Sequence, residues 1–165
     1  MPVPEFVQHL RERVGHDPLW LVGVTAVVLR GDEVLLVRRA DFGEWSPVAG
    51  IVEPGEHTAT TAEREALEEA GVVAVVERLA GVSVSREYTY PNGDRTRYTN
   101  LTYRLRYVSG EAHVGDDEST DVGWFPLDAL PGLHPGLAAA LPVLRPMLTR
   151  VTTPVSSPDG RPPAG

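Results

Sequence analysis

The chain has 165 residues, 42% hydrophobic and 23% charged, which is about one domain with enough apolar content for a core. Fifteen basic residues against 23 acidic ones leave a formal net charge of −8, which excludes general attraction to long nucleic acids and to anionic membranes. The absence of cysteine excludes a disulfide framework, a thiolate zinc or iron–sulfur site and a cysteine nucleophile. With no basic-then-apolar leader and no apolar run of 18 residues, a cytoplasmic protein without a membrane partner is the expectation.

In chain order, Phe6, Val7, Leu10 and Val14 fall at helical spacing and end at Gly15, which predicts an amphipathic helix over residues 3–14. The β-branched run Leu21–Leu29, the turn Gly31-Asp32 and the run Val34–Arg39 predict a hairpin of buried strands. A helix is expected from about Thr58 to Ala70, stopped by Gly71 and capped by Thr58 or by a Thr60–Glu63 capping box. Asn92-Gly93 predicts a tight hairpin turn with positive φ angles. Beyond it Thr99, Leu101, Tyr103, Leu105 and Tyr107 alternate with polar residues as in a half-buried strand. A short strand over Val122–Phe125, a helix over residues 135–150 and a Pro/Gly-rich disordered tail over 151–165 complete the expectation. The order of elements predicts one α/β (α+β) domain over residues 1–150, a mixed sheet with helices on both faces.

The negative charge is concentrated. Residues 50–72 hold six acids and one base, residues 111–121 hold five acids and no Lys or Arg, and the remainder is slightly basic. At 100° per residue Glu65, Glu68 and Glu69 project from one stripe about 100° wide on the predicted helix. Like charges at these spacings repel, so the stripe is either solvated or neutralised by a cation. Carboxylates suit hard divalent ions, and Mg²⁺ in particular completes its shell with waters and phosphate oxygens.

Gly50-Ile51-Val52-Glu53-Pro54-Gly55-Glu56, seven intervening residues, then Arg64-Glu65-Ala66-Leu67-Glu68-Glu69-Ala70-Gly71-Val72 closely resembles the signature of the Nudix hydrolases. That signature reads Gly, five residues, Glu, seven residues, Arg-Glu, an aliphatic position, any residue, Glu-Glu, any residue, Gly, aliphatic. Seven fixed positions match, a coincidence expected roughly once in 10⁸ starting points at average residue abundance. The aliphatic position is Ala66, and upstream Trp45-Ser46-Pro47-Val48-Ala49-Gly50 departs from the frequent Trp-x-Leu-Pro-Gly-Gly.

The resemblance implies a Nudix-type α/β/α sandwich and a metal site of Glu65, Glu68 and Glu69 with the Gly50 carbonyl, holding Mg²⁺ or alternatively Mn²⁺. It implies that Glu56 ion-pairs with Arg64, which orients the carboxylates. A general base is expected at Glu68 or in the second acidic cluster, where Glu118 is chosen and Asp121 stands behind it. Arg38 and Arg39, at a strand end, are candidates for phosphate contact. Trp45 suits packing, with base stacking as the alternative; Tyr88, Tyr90, Tyr98 and Tyr103 are candidate pocket residues, and His57 reads as a loop residue. The implied activity is hydrolysis of a diphosphate linkage in a nucleoside diphosphate joined to another group, of ADP-ribose or nucleotide-sugar type. The alternatives are a nucleoside triphosphate pyrophosphohydrolase and a non-catalytic nucleotide-binding module. The partner is then a small nucleotide, and a homodimer is carried over from the family.

Overall fold

The structure is a computed structural model that describes residues 3–41 and 43–133. The helix expected over 135–150 and the tail over 151–165 lie outside these residues. The described elements are α1 (Glu5–Val14), β1 (Leu19–Arg30), β2 (Glu33–Arg39), β3 (Trp45–Ser46), β4 (Val48–Ile51), α2 (Thr58–Ala70), β5 (Val73–Val84), β6 (Tyr88–Thr89), β7 (Arg95–Ser109) and β8 (Ser119–Pro126).

All strands join one mixed sheet centred on β1. Along one edge β1 runs parallel to β7, from Leu19 opposite Thr96 to Leu29 opposite Arg106. Its other edge is divided: β4 pairs antiparallel with Gly23–Ala26, while β2 pairs at Leu29 and Arg30. The division sets Gly50 opposite Val24, directly beneath α2.

Strand side chains alternate between faces, and here both faces are buried. Val24, Ala26 and Val28 join Leu35, Val37, Val48, Tyr103 and Leu105 under Ala62, Ala66 and Ala70 of α2. Val27 and Leu29 point the other way, with Val34, Leu36 and Ala80, and are packed by Trp45, Phe125, Leu127, Leu130 and Leu133. Two-sided burial accounts for the apolar residues of β1 from Val24 to Leu29, whereas Trp20 and Val22 near its start are exposed. Leu35 and Leu105 are fully buried, so truncating either to Ala costs about 2–5 kcal/mol.

Two local expectations are corrected. The cap of α2 is His57, whose Nδ1 accepts from the Ala59 N–H at 3.2 Å, while Thr58 and the Glu63 of the expected capping box are engaged elsewhere. Thr58 bonds the Tyr103 hydroxyl, Thr61 donates to Glu56, and Glu63 accepts from the Val76 N–H. The second hairpin turns on Pro91-Asn92-Gly93 with positive φ at Gly93 alone, while Asn92 uses its side chain to accept from the Asp94 N–H. A three-residue loop with glycine in the left-handed position satisfies the hairpin as well as a two-residue one. No helix among the described residues is long and apolar enough to cross a membrane.

Candidate active site

The buried face of α2 carries three alanines four residues apart, and such short side chains let the helix sit close to the sheet. The same closeness buries two acids: Glu65 is 0% exposed and Glu69 is 3% exposed, whereas the Glu68 side chain is 47% exposed. The predicted stripe therefore has an inner part and a solvent edge. The Glu65 carboxylate lies over the α-carbon of Gly50, and a Cβ at that position would overlap it. Glycine stands there for close approach rather than for an unusual φ.

Arg64 binds three acids at once. Its Nε and Nη2 donate to both oxygens of Glu56 at 3.0 and 3.1 Å, and its Nη1 donates to Glu65 at 2.9 Å and to Glu68 at 2.8 Å. The hydrogen bond to Arg64 holds the Glu56 carboxyl below the usual carboxylate range, and the Arg64 guanidinium is correspondingly held charged. The second oxygen of Glu65, Oε2, is buried and has no hydrogen-bond partner. Burial, only partly offset by Arg64, pushes the Glu65 carboxyl up to about 7. Burial and then the neighbouring charges of Glu65, Asp116 and Glu118 push Glu69 up to about 8. Such a site costs folding free energy unless a cation neutralises it.

An unpartnered buried carboxylate oxygen beside a second buried carboxylate is the donor set a hard divalent ion takes, so these residues fit the implied Mg²⁺ or Mn²⁺. Among the described residues no three carboxylate or imidazole groups gather around one point, since Arg64 draws Glu68 and one oxygen of Glu65 to itself. Mg²⁺ ordinarily keeps several waters and takes phosphate oxygens, so a closed protein cage is not its usual site.

The second acidic cluster divides. Glu118 is half-buried, and its charge reaches both Glu65 and Glu69; Asp116, which was not singled out from the sequence, also acts on Glu69. Asp121 stands exposed opposite Arg38 and accepts from the N–H of Val122. Glu111 and Asp117 are exposed.

The two candidate arginines also part. Arg39 shares the parity of Leu35 and Val37, the face packed by α2, and is held charged by its hydrogen bond to Asp41, then by Glu118 and Glu69. Arg38 shares the parity of Val34 and Leu36, is exposed, and donates to the Gly43 carbonyl at 2.9 Å. Strand alternation thus brings Arg39 to the acids and turns Arg38 away from them. Trp45 packs edge-on against Phe125, with ring centres 4.7 Å apart, as its packing reading requires. Tyr103 is buried core, while Tyr90 and Tyr98 share a hydroxyl hydrogen bond at 2.7 Å and Tyr88 packs on Tyr90.

The fold also brings the start of the chain and α1 to this region. A cavity of about 610 Å³ lies between Val3, Glu5 and Gln8 on one side and Glu53, Glu56, Arg64 and Glu68 on the other. No local signal in residues 3–14 points to this placement, because amphipathicity tells which face a helix buries and not what it buries it against.

Comparison with known proteins accords with this geometry. The NUDIX domain model matches residues 19–146. The NAD-capped RNA hydrolase NudC of Pseudomonas aeruginosa is 42% identical over 110 residues, covering 65% of this chain and 36% of that protein. The chain thus spans about a third of the length of that relative. Among solved structures, a MutT NUDIX hydrolase from Burkholderia pseudomallei superposes with a TM-score of 0.58 at 29% identity, over 81% of this chain and 99% of that one. An ADP-ribose pyrophosphatase from Streptococcus suis shares the fold with a TM-score of 0.63 at 23% identity, over 80% of this chain and 94% of that one. With the signature residues folded into one acid-rich site and the family model covering the sheet and both described strand hairpins, the chain belongs to the Nudix hydrolase family.

Proposed function

We propose that the protein hydrolyses the diphosphate linkage of a nucleoside diphosphate joined to another group, with Mg²⁺ or Mn²⁺ as the cofactor. The observation that carries this reading is the pair of buried carboxylates, Glu65 with an unpartnered oxygen and Glu69 beside it. A fold that needed no cation would gain by replacing them. Glu65, Glu68, Glu69 and the Gly50 carbonyl would hold the ion, which supplies charge neutralisation on phosphate oxygens and acidifies a water.

The chain's own residues supply the rest. Arg64 holds Glu56, Glu65 and Glu68 in one frame, so that the carboxylates keep their places when substrate arrives. Arg39, on the same face, suits a non-bridging phosphate oxygen. Glu118 takes the proton of the attacking water as its oxygen bonds to phosphorus and the anhydride oxygen leaves with the other phosphate; Glu68 is the alternative base. The name of the NudC relatives supports this class, since NAD is itself a nucleoside diphosphate joined to a second nucleoside.

The test is incubation with Mg²⁺, then Mn²⁺, and a panel of ADP-ribose, NAD, nucleotide sugars, dinucleoside polyphosphates, nucleoside triphosphates and NAD-capped RNA, with products identified by mass. Two monophosphate products from a diphosphate-linked compound are expected. Release of pyrophosphate from triphosphates alone would replace this reading with nucleotide-pool cleaning. Binding without turnover of any compound would leave a nucleotide-binding module.

A further inference from the structure

The second acidic cluster reaches α2 through residues 110–118, which run from the end of β7 to the start of β8 and lie across the C-terminal end of that helix. The last carbonyls of a helix lack partners within it. Here the N–H of His113 donates to the Ala70 carbonyl at 3.1 Å, and the N–H of Gly115 donates to the Glu69 carbonyl at 3.0 Å. Three glycines make the contact close. The ring of His113 covers the α-carbon of Gly71, the α-carbon of Gly110 lies on the Gly71 carbonyl, and that of Gly115 lies on the Glu68 carbonyl. A Cβ at any of the three would overlap the atoms facing it.

The segment is fixed at both ends. Tyr107 donates its hydroxyl to the Gly110 carbonyl at 2.8 Å, and the His113 ring Nδ1 lies 2.8 Å from the Glu111 carbonyl. At the far end Ala40, next to Arg39, donates to the Glu118 carbonyl at 2.7 Å, and Asp116 accepts from the Glu118 N–H at 3.0 Å. The peptide group of Glu69 is thus one hydrogen bond away from the residue preceding Asp116.

We infer that residues 110–118 form a positioning strap: His113 and Gly115, by gripping the Gly71 turn and the Glu68–Glu69 peptides, set Asp116 and Glu118 against the Glu69 carboxylate. This inference rests on the hydrolytic reading above and adds residues to it, since His113 and Gly115 act only through the acids they place.

The experiment is a double-mutant cycle on the full chain. Gly115→Ala is combined with the pair Asp116→Asn and Glu118→Gln, and each variant is read for kcat, for KM, for Mn²⁺ binding by calorimetry without substrate, and for hydrogen exchange at the Gly115 and His113 amides. Gly115→Ala is expected to lose amide protection, to weaken Mn²⁺ binding or kcat by about tenfold or more, and to change KM by less than about threefold. Combined with the acid pair it adds nothing, because a strap with no acids to place has no further role. His113→Ala, which leaves the backbone free of new atoms, is expected to show a smaller loss of the same kind and carries the test if Gly115→Ala fails to fold.

Normal kcat and Mn²⁺ affinity in both strap variants, or losses that multiply with those of the acid pair, would overturn the inference while Glu69→Gln still abolished turnover. Normal turnover in Glu69→Gln would instead sink the hydrolytic reading on which the inference stands.

Discussion

Two segments of this chain carry the same excess of negative charge, residues 50–72 and residues 111–121, yet the fold treats them differently. In the first, Glu65 and Glu69 are buried beneath a helix whose alanines press it onto the sheet, and Arg64 binds Glu56, Glu65 and Glu68. In the second, the charges of Asp116 and Glu118 act on Glu69 while Glu111, Asp117 and Asp121 are exposed. A helix converts spacing directly into a shared face, so its charges act as a set. A loop has no such period, and each of its side chains is placed by its own contacts.

The sharpest way to break this comparison is by turnover. Glu69→Gln and Glu68→Gln are each expected to lower kcat by about 100-fold or more, with the circular dichroism spectrum of the folded protein retained. Asp117→Asn and Asp121→Asn, equal in charge change, should stay within about twofold, as surface substitutions away from a site do. A loss in Asp121→Asn matching that in Glu69→Gln would show that the second cluster acts as one body.

Stability gives the next largest effect. At about pH 9, where the buried Glu65 is ionised in the folded protein, Arg64→Ala leaves its carboxylate without a cation and should destabilise the metal-free protein by about 3–5 kcal/mol in urea unfolding, as breaking a buried pair does. A loss below about 1 kcal/mol would place the Arg64 cluster among ordinary surface pairs.

The pH dependence is smaller and opposite in sign to the common case for acids. Glu69 titrates near 4.5 in the unfolded chain and near 8 in the folded one, so the folded state holds the extra proton between those values. Stability from this group is fully present below pH 4.5 and declines as pH rises to about 8. The difference in unfolding free energy between wild type and Glu69→Gln should therefore move in favour of the variant across that window, on the order of a few kcal/mol. Mn²⁺ should stabilise the wild type more at pH 8 than at pH 5, because protons compete with the ion for the same oxygens. A flat difference would mean that Glu69 is as solvated as Glu111.

The smallest expected effect separates the two arginines. Arg39→Ala should raise KM for a diphosphate substrate several-fold, whereas Arg38→Ala leaves it within about twofold, since only the former lies on the acid-bearing face.

Much of this was legible in the residues. The helix over Thr58–Ala70, its stop at Gly71 and both strand hairpins follow from local pattern, because periodicity and turn chemistry act over a few residues. The cap of α2 was not legible, since Thr58 and a Thr60–Glu63 box compete for the role, and Tyr103 takes the Thr58 hydroxyl while the Val76 N–H takes the Glu63 carboxylate. Nor was the effect of Asp116 on Glu69 legible: it lies in the same acidic run as Asp121, and the hydrogen bond from the Gly115 N–H to the Glu69 carbonyl joins segments far apart in sequence.

By itself, then, the sequence determined the family, the mixed α+β fold and the grouping of three glutamates on one helical face, because those depend on spacing along the chain. Only the tertiary structure decided which of those glutamates are buried, that Arg39 rather than Arg38 joins them, and that α1 stands at the cavity beside Arg64. These follow from packing between segments far apart in sequence, where burial sets the energy of a charge and no local pattern records which surface will cover it.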